Sequence, residues 1–159
     1  MIKLSILENP AKEEACCVYS AEHNRYYVHN CFEFPKEAVA AISSALTGGF
    51  FDEYLKTAKA RCGNVCLLLA PLHHVFSLPN FSGIGDPLQE ADLKAIRESL
   101  VIQYSPQLLC HYAYDFNMKQ LILFDDLETL NEKVHTAEKE GIQFLAADKS
   151  LIKKLRLPE

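Results

Sequence analysis

Val65-Cys66-Leu67-Leu68-Leu69-Ala70 is an unbroken apolar run, fenced by Gly63-Asn64 before it and Pro71 after it. A strand with one face in water alternates apolar and polar residues. A run without alternation needs cover on both faces and reads as a central strand. Whatever else this chain does, it must build layers on either side of residues 65–70.

The flanking segments supply candidates for those layers. Ile2 to Leu7 reads as a strand closed by Asn9-Pro10. Cys16 to Ser20 and Tyr26 to Phe34 read as a hairpin around Glu22-His23-Asn24, rich in Tyr, Val and Phe. Pro35 is placed to open a helix running through Leu46, with Gly48-Gly49 to end it. Phe51, Tyr54, Leu55, Ala58 and Cys62 form the stripe of a second helix stopped by Gly63. So short a junction predicts that these two helices pack as a pair.

Beyond the central run, Pro71 to Pro87 has no period, and its seventeen residues contain three Pro and two Gly. Loops of that length in a compact fold are more often functional than idle. Asp86-Pro87-Leu88-Gln89 offers an N-cap, a first-turn proline and a capping-box acceptor for a helix to about Gln103, with Leu93, Ile96 and Leu100 inward. Leu108 to Tyr114 and Gln120 to Phe124 make a second hairpin around Phe116-Asn117. Asp125 to Glu140 is a helix with Leu127, Leu130, Val134 and Ala137 on one stripe, stopped by Gly141; Ile142 to Ala147 is a strand, and a short helix follows. Hairpins beside a strand–helix–strand crossover imply an α+β fold: one domain over residues 1–159, with a mixed, mainly antiparallel and hairpin-rich sheet and helices packed against it.

Length and composition agree. The 159 residues, 49% of them hydrophobic, are enough for one real core, since domains of this size bury roughly 70% of the surface of the unfolded chain. The longest apolar run, Val65 to Leu72, falls far short of the ~18 residues that span a bilayer, and Glu8 interrupts the apolar N-terminus. The six cysteines follow no disulfide framework, which fits reduced thiols in the cytoplasm. An acidic chain is a poor ligand for a phosphate backbone, and its one basic cluster, Lys149, Lys153, Lys154 and Arg156, closes a short helix, where cations suit the dipole.

Charge is unevenly placed. Asp115 to Asp148 holds eight acidic residues against three basic ones, and that surplus equals the net charge of −5 for the whole chain. Segregated charge steers partners of opposite sign. The first expectation is therefore a non-enzymatic binding module of inhibitor, immunity or chaperone type. Asp126, Glu128, Glu132 and Glu140 on an outer helix face would engage a basic protein partner, with no cofactor, metal, nucleic acid or membrane involved.

The second expectation is a small hydrolase or transferase with its site in the 71–87 loop. His74 is its candidate base, His73 stands beside it, and amides near Asp86 offer an anion cradle. Other motifs point less far. Phe124-Asp125-Asp126-Leu127-Glu128-Thr129 superficially resembles the Asp-x-Asp-x-Thr signature of haloacid-dehalogenase phosphatases, but Leu127 stands where that family has its second aspartate. Helix capping by Asp125, with Glu128 completing the box, accounts for it better. His29-Asn30-Cys31, Cys62 to Cys66 and Cys110-His111 supply zinc-type ligands without the repeated close spacing of structural sites.

Overall fold

The computed structural model describes residues 2–7, 19–20, 25–26, 40–46, 49–77, 86–87 and 90–155. Among them the strands are β1 (Lys3–Leu7), β2 (Tyr19–Ser20), β3 (Arg25–Tyr26), β4 (Ala40–Ser43), β5 (Val65–Leu68), β6 (His73–Ser77), β7 (Asp86–Pro87), β8 (Gln103–Ser105), β9 (Cys110–Asp115), β10 (Gln120–Phe124) and β11 (Phe144–Asp148). The helices are α1 (Phe51–Cys62), α2 (Glu90–Ser99), α3 (Leu127–Lys139) and α4 (Lys149–Lys154).

The fold is α+β. Parallel and antiparallel pairings are segregated into separate sheets: a parallel one in the order β1-β11-β5-β4 and an antiparallel one in the order β7-β6-β10-β9-β8, with the β2–β3 ladder apart. Antiparallel ladders outnumber parallel ones five to three among the described residues.

β5 is an interior strand of the parallel sheet, and all its residues are buried, as its unbroken apolar run requires. Val65 and Leu67 join a core built with Phe51, Leu55 and Ala58 of α1, Leu130, Val134 and Ala137 of α3, and Leu145 and Ala147 of β11. α1 and α3 each end at a glycine with positive φ, Gly63 at 76° and Gly141 at 81°.

Residues 40–43 correct the expected helix over 35–46. They form β4, with Ala41 opposite Cys66 and Ile42 opposite Leu67, and both are buried. Alanine-rich sequence favours a helix locally, but pairing with β5 and burial in the sheet outweigh a propensity worth tenths of a kcal/mol per residue. Among the described residues of that stretch no helix precedes α1, and residues 35–39 lie outside the described set. The loop expected over 71–87 is also partly strand. β6 pairs with β10, and Asp86-Pro87 pairs with Val75 and His74 instead of starting a helix. The helix begins at Glu90, and Gln103 belongs to β8.

α2 lies on one face of the antiparallel sheet. There Leu93 packs with Ile122 and Phe124, against Val75, Ile96 and Leu100. Leu72, Phe76, Cys110 and Leu123 form a separate core on the opposite face. No helix among the described residues is long and apolar enough to cross a membrane.

Candidate active site

Registry puts four ring-bearing residues in one row across the antiparallel sheet. His73 of β6 is opposite Phe124 of β10, Phe124 is opposite His111 of β9, and His111 is opposite Tyr104 of β8. Directly opposed residues share a sheet face. The His111 ring lies 5.4 Å from the Phe124 centroid and 6.0 Å from that of Tyr104, edge-on to the latter. From α2, the Arg97 guanidinium caps the Phe124 ring at 5.2 Å.

The row ends where β10 hands over to α3, and Asp126 occupies that junction. Its Oδ1 accepts the Thr129 amide at 2.9 Å, and Thr129 Oγ1 accepts the Asp126 amide, a reciprocal capping box. Its Oδ2 is left for other partners. His111 Nε2 approaches it to 2.9 Å and Arg97 to 3.7 Å. Against a carboxylate the ring nitrogen is the donor, which puts the lone pair of the neutral imidazole on Nδ1. The side chains of His111, Asp126 and Arg97 keep 19%, 25% and 49% of their exposure, so the group is packed yet reachable from solvent. Beside it, Tyr104 donates its hydroxyl to Glu132. Burial first, then that hydrogen bond and the charge of Glu132, hold the Tyr104 phenol well above its usual range.

A groove of about 440 Å³ opens alongside. His73, Lys94, Arg97, Asp126, Leu127 and Lys154 line it, bringing β6, α2, α3 and α4 together. Cavities of that size hold small organic ligands.

His73 and His74 are divided by the sheet. His73 lines the groove, with Nε2 3.3 Å from the Asp125 carbonyl. His74, one residue on in an extended strand, is opposite Leu123, on the other face. Its Nδ1 is buried without a partner among the described residues, and burial followed by the charge of His73 lowers its pKa. The two do not share one site, and residues 78–85 lie outside the described set.

Asp125 is not the helix cap. Its side chain turns inward, fully buried, and Oδ2 meets Lys133 Nζ at 2.8 Å and the Leu72 amide at 2.9 Å. Oδ1 accepts from Thr129 Oγ1 at 2.8 Å. Lys133 Nζ also donates to the Ser44 carbonyl at 3.1 Å and stands 5.6 Å over the Phe51 ring. Fully buried and accepting three hydrogen bonds, the Asp125 carboxylate is not presented to solvent as a phosphatase aspartate is. No group of three or more His, Cys, Asp or Glu side chains converges in metal-binding fashion among the described residues. His29 and Cys31 lie outside that set.

The four acids expected to steer a partner do not form a uniform free face. Asp126 holds His111 and Arg97, Glu132 accepts from Tyr104, and Glu140 lies 3.8 Å from Lys56. Glu128 is exposed in the first turn of α3.

His111 is weakly signalled in the sequence, where it is one histidine among several beside a cysteine. Arg97 and Tyr104 carry no motif at all. Cross-strand registry singles out His111 and Tyr104, and the docking of α2 brings Arg97 to them; one sequence displays neither.

No protein family and no curated protein matches the chain. Among solved structures the chain is similar to the spore cortex-lytic enzyme SleL of Bacillus cereus, with a TM-score of 0.46 and 16% identity. The likeness covers 74% of this chain and 34% of that one, so the chain spans about a third of that enzyme's length. So distant a likeness assigns neither substrate nor mechanism. The expectation of a non-enzymatic inhibitor, immunity or chaperone module is withdrawn, because three of its four steering acids are engaged within the fold: Asp126 with His111 and Arg97, Glu132 with Tyr104 and Glu140 with Lys56.

Proposed function

We propose that the protein is an acid–base enzyme of the hydrolase or transferase class, with His111 as its proton-transfer residue. One observation carries this reading: the 2.9 Å contact between His111 Nε2 and Asp126 Oδ2, beside a groove that Asp126 itself lines. A carboxylate that fixes one ring nitrogen as donor leaves the other basic and stabilises the imidazolium once a proton arrives. In hydrolysis, water bonds to the electrophilic centre as His111 Nδ1 takes its proton. The bond to the leaving oxygen then breaks, and the same proton passes to that oxygen. Arg97, 3.7 Å from Asp126, stands where it can offset negative charge that develops in the groove. His73, which lines the same groove, contacts the substrate in this scheme. A cytoplasmic setting belongs to the proposal, and Cys110 is a buried thiol in no disulfide.

The test is a screen of p-nitrophenyl acetate, phosphate and glycosides with wild type and His111→Gln. Turnover of one substrate class that falls by about 10²-fold or more in the variant supports the assignment. Equal rates in the two proteins, or no turnover of any class, count against it.

A further inference from the structure

The groove beside Asp126 carries more positive charge than its own acids need. Lys94 and Arg97 reach it from α2 and Lys154 from α4, while Asp125 is neutralised by Lys133 beneath the floor. That leaves three cations against the single carboxylate of Asp126, a surplus of two. Lys94 and Lys154 are exposed and make no ion pair among the described residues. Arg97 is held over Phe124, which presets its planar fork, and half of its side chain still faces solvent. The rest of the lining is apolar: Leu93, Leu127 and Leu151, of which Leu127 is left 43% exposed.

From this we infer that the groove takes a small phosphomonoester with an apolar body. A phosphate dianion matches a surplus of two charges, where a carboxylate would match only one. The ester's organic part lies along Leu93, Leu127 and Leu151, and the 440 Å³ of the groove suits one such molecule. The inference deepens the acid–base reading and rests on it for turnover, but binding stands without it.

The experiment is a titration of ¹⁵N-labelled protein with phenyl phosphate, glycerol 2-phosphate and phenol, in wild type and in the double variant Lys94→Gln/Lys154→Gln. Phenyl phosphate is expected to shift the amides of Leu93, Arg97, Leu127 and Leu151 in a saturable way. It should bind about tenfold more tightly than either probe carrying only the charge or only the ring, and about tenfold more weakly to the double variant. A response equal to that of phenol, shifts elsewhere on the protein, or an unchanged affinity in the double variant overturns the inference. Spectra that match outside the groove confirm that the variant is folded. Saturable binding of phenyl phosphate with no turnover of it or of any p-nitrophenyl substrate overturns the acid–base reading alone. Turnover of p-nitrophenyl acetate without phosphate binding overturns the groove's ligand class alone.

Discussion

Lys133 Nζ lies 2.8 Å from Asp125 Oδ2, and neither side chain is exposed to solvent. The pair sits where the two sheets meet. Asp125 exchanges backbone and side-chain hydrogen bonds with Leu72, between β5 and β6, and Lys133 reaches the Ser44 carbonyl just past β4. Burying two charges costs several kcal/mol per ion, which only close pairing and full hydrogen bonding offset.

Removing one member should therefore hurt more than removing both. Lys133→Met is expected to cost about 3–5 kcal/mol in urea unfolding, because it strands a buried carboxylate. Adding Asp125→Asn removes that charge and keeps an acceptor for the Leu72 amide. The double variant should be more stable than Lys133→Met alone; equal or lower stability would show that the carboxylate is not the source of the cost.

Asp126 has two duties on two oxygens, and substitution can separate them. Asn caps helices about as well as Asp, so Asp126→Asn should stay within about 1 kcal/mol of wild type while losing the carboxylate that orients His111. Asp126→Ala should lose about 1 kcal/mol of stability as well. Activity reduced alike in both variants, with stability lost only in the second, is the expected pattern in parallel rate and melting measurements.

Burial pushes the Cys110 thiol up to about 12, with Lys133 pulling it down and Asp125 pushing it up. A thiol so rarely ionised reacts slowly. In native protein Cys110 should resist iodoacetamide at pH 8 and label rapidly in urea, as peptide mass spectrometry would resolve. Fast native labelling would contradict the packing around it.

His74 supplies a pH dependence of defined sign. Burial, then His73, lowers its pKa from the ordinary 6.5, so the folded state binds this proton less readily than the unfolded chain. Its contribution is whole above pH 6.5, declines as the unfolded chain protonates below that value, and levels off beneath the folded pKa. His74→Gln should flatten that part of a stability–pH curve.

Gly141 ends α3 at a φ of +81°, and a Cβ there would collide with Lys59 Nζ. That atom ends a flexible chain and can swing away, so backbone strain decides the outcome. Gly141→Ala should lower stability by about 1–2 kcal/mol, readable as a fall in Tm.

Sequence pattern was a good guide wherever one segment's own periodicity decides its state. The buried run of β5, the β9–β10 hairpin, Phe51, Leu55 and Ala58 of α1, and Leu130, Val134 and Ala137 of α3 are of this kind, whereas Leu127, expected on the same stripe, is exposed. It failed at Ala40–Ser43, where the partner strand decides, and at His73–Ser77, where proline and glycine further along the segment obscured a strand. The site was less legible still. Asp126 drew notice as one acid among several, whereas its partners His111 and Arg97 lie 15 and 29 positions away and meet it only through sheet registry and the docking of α2. The missed cap at Asp125 has the same cause, since which of two adjacent aspartates turns inward depends on the buried lysine eight residues later.

Asp125 and Asp126 are consecutive, yet extended backbone at Asp126 (φ −125°, ψ −174°) sends one carboxylate into the interior and the other toward the groove. Foundation and tool thus hang from a single peptide bond. A one-residue slip in β10 would empty one of the two positions: an insertion brings Phe124 to the inner one and leaves Lys133 without its anion, and a deletion brings Leu127 to the outer one and leaves His111 without its orienting group. Grafting the His111–Asp126 pair onto another scaffold would therefore require Asp125 and Lys133 to travel with it.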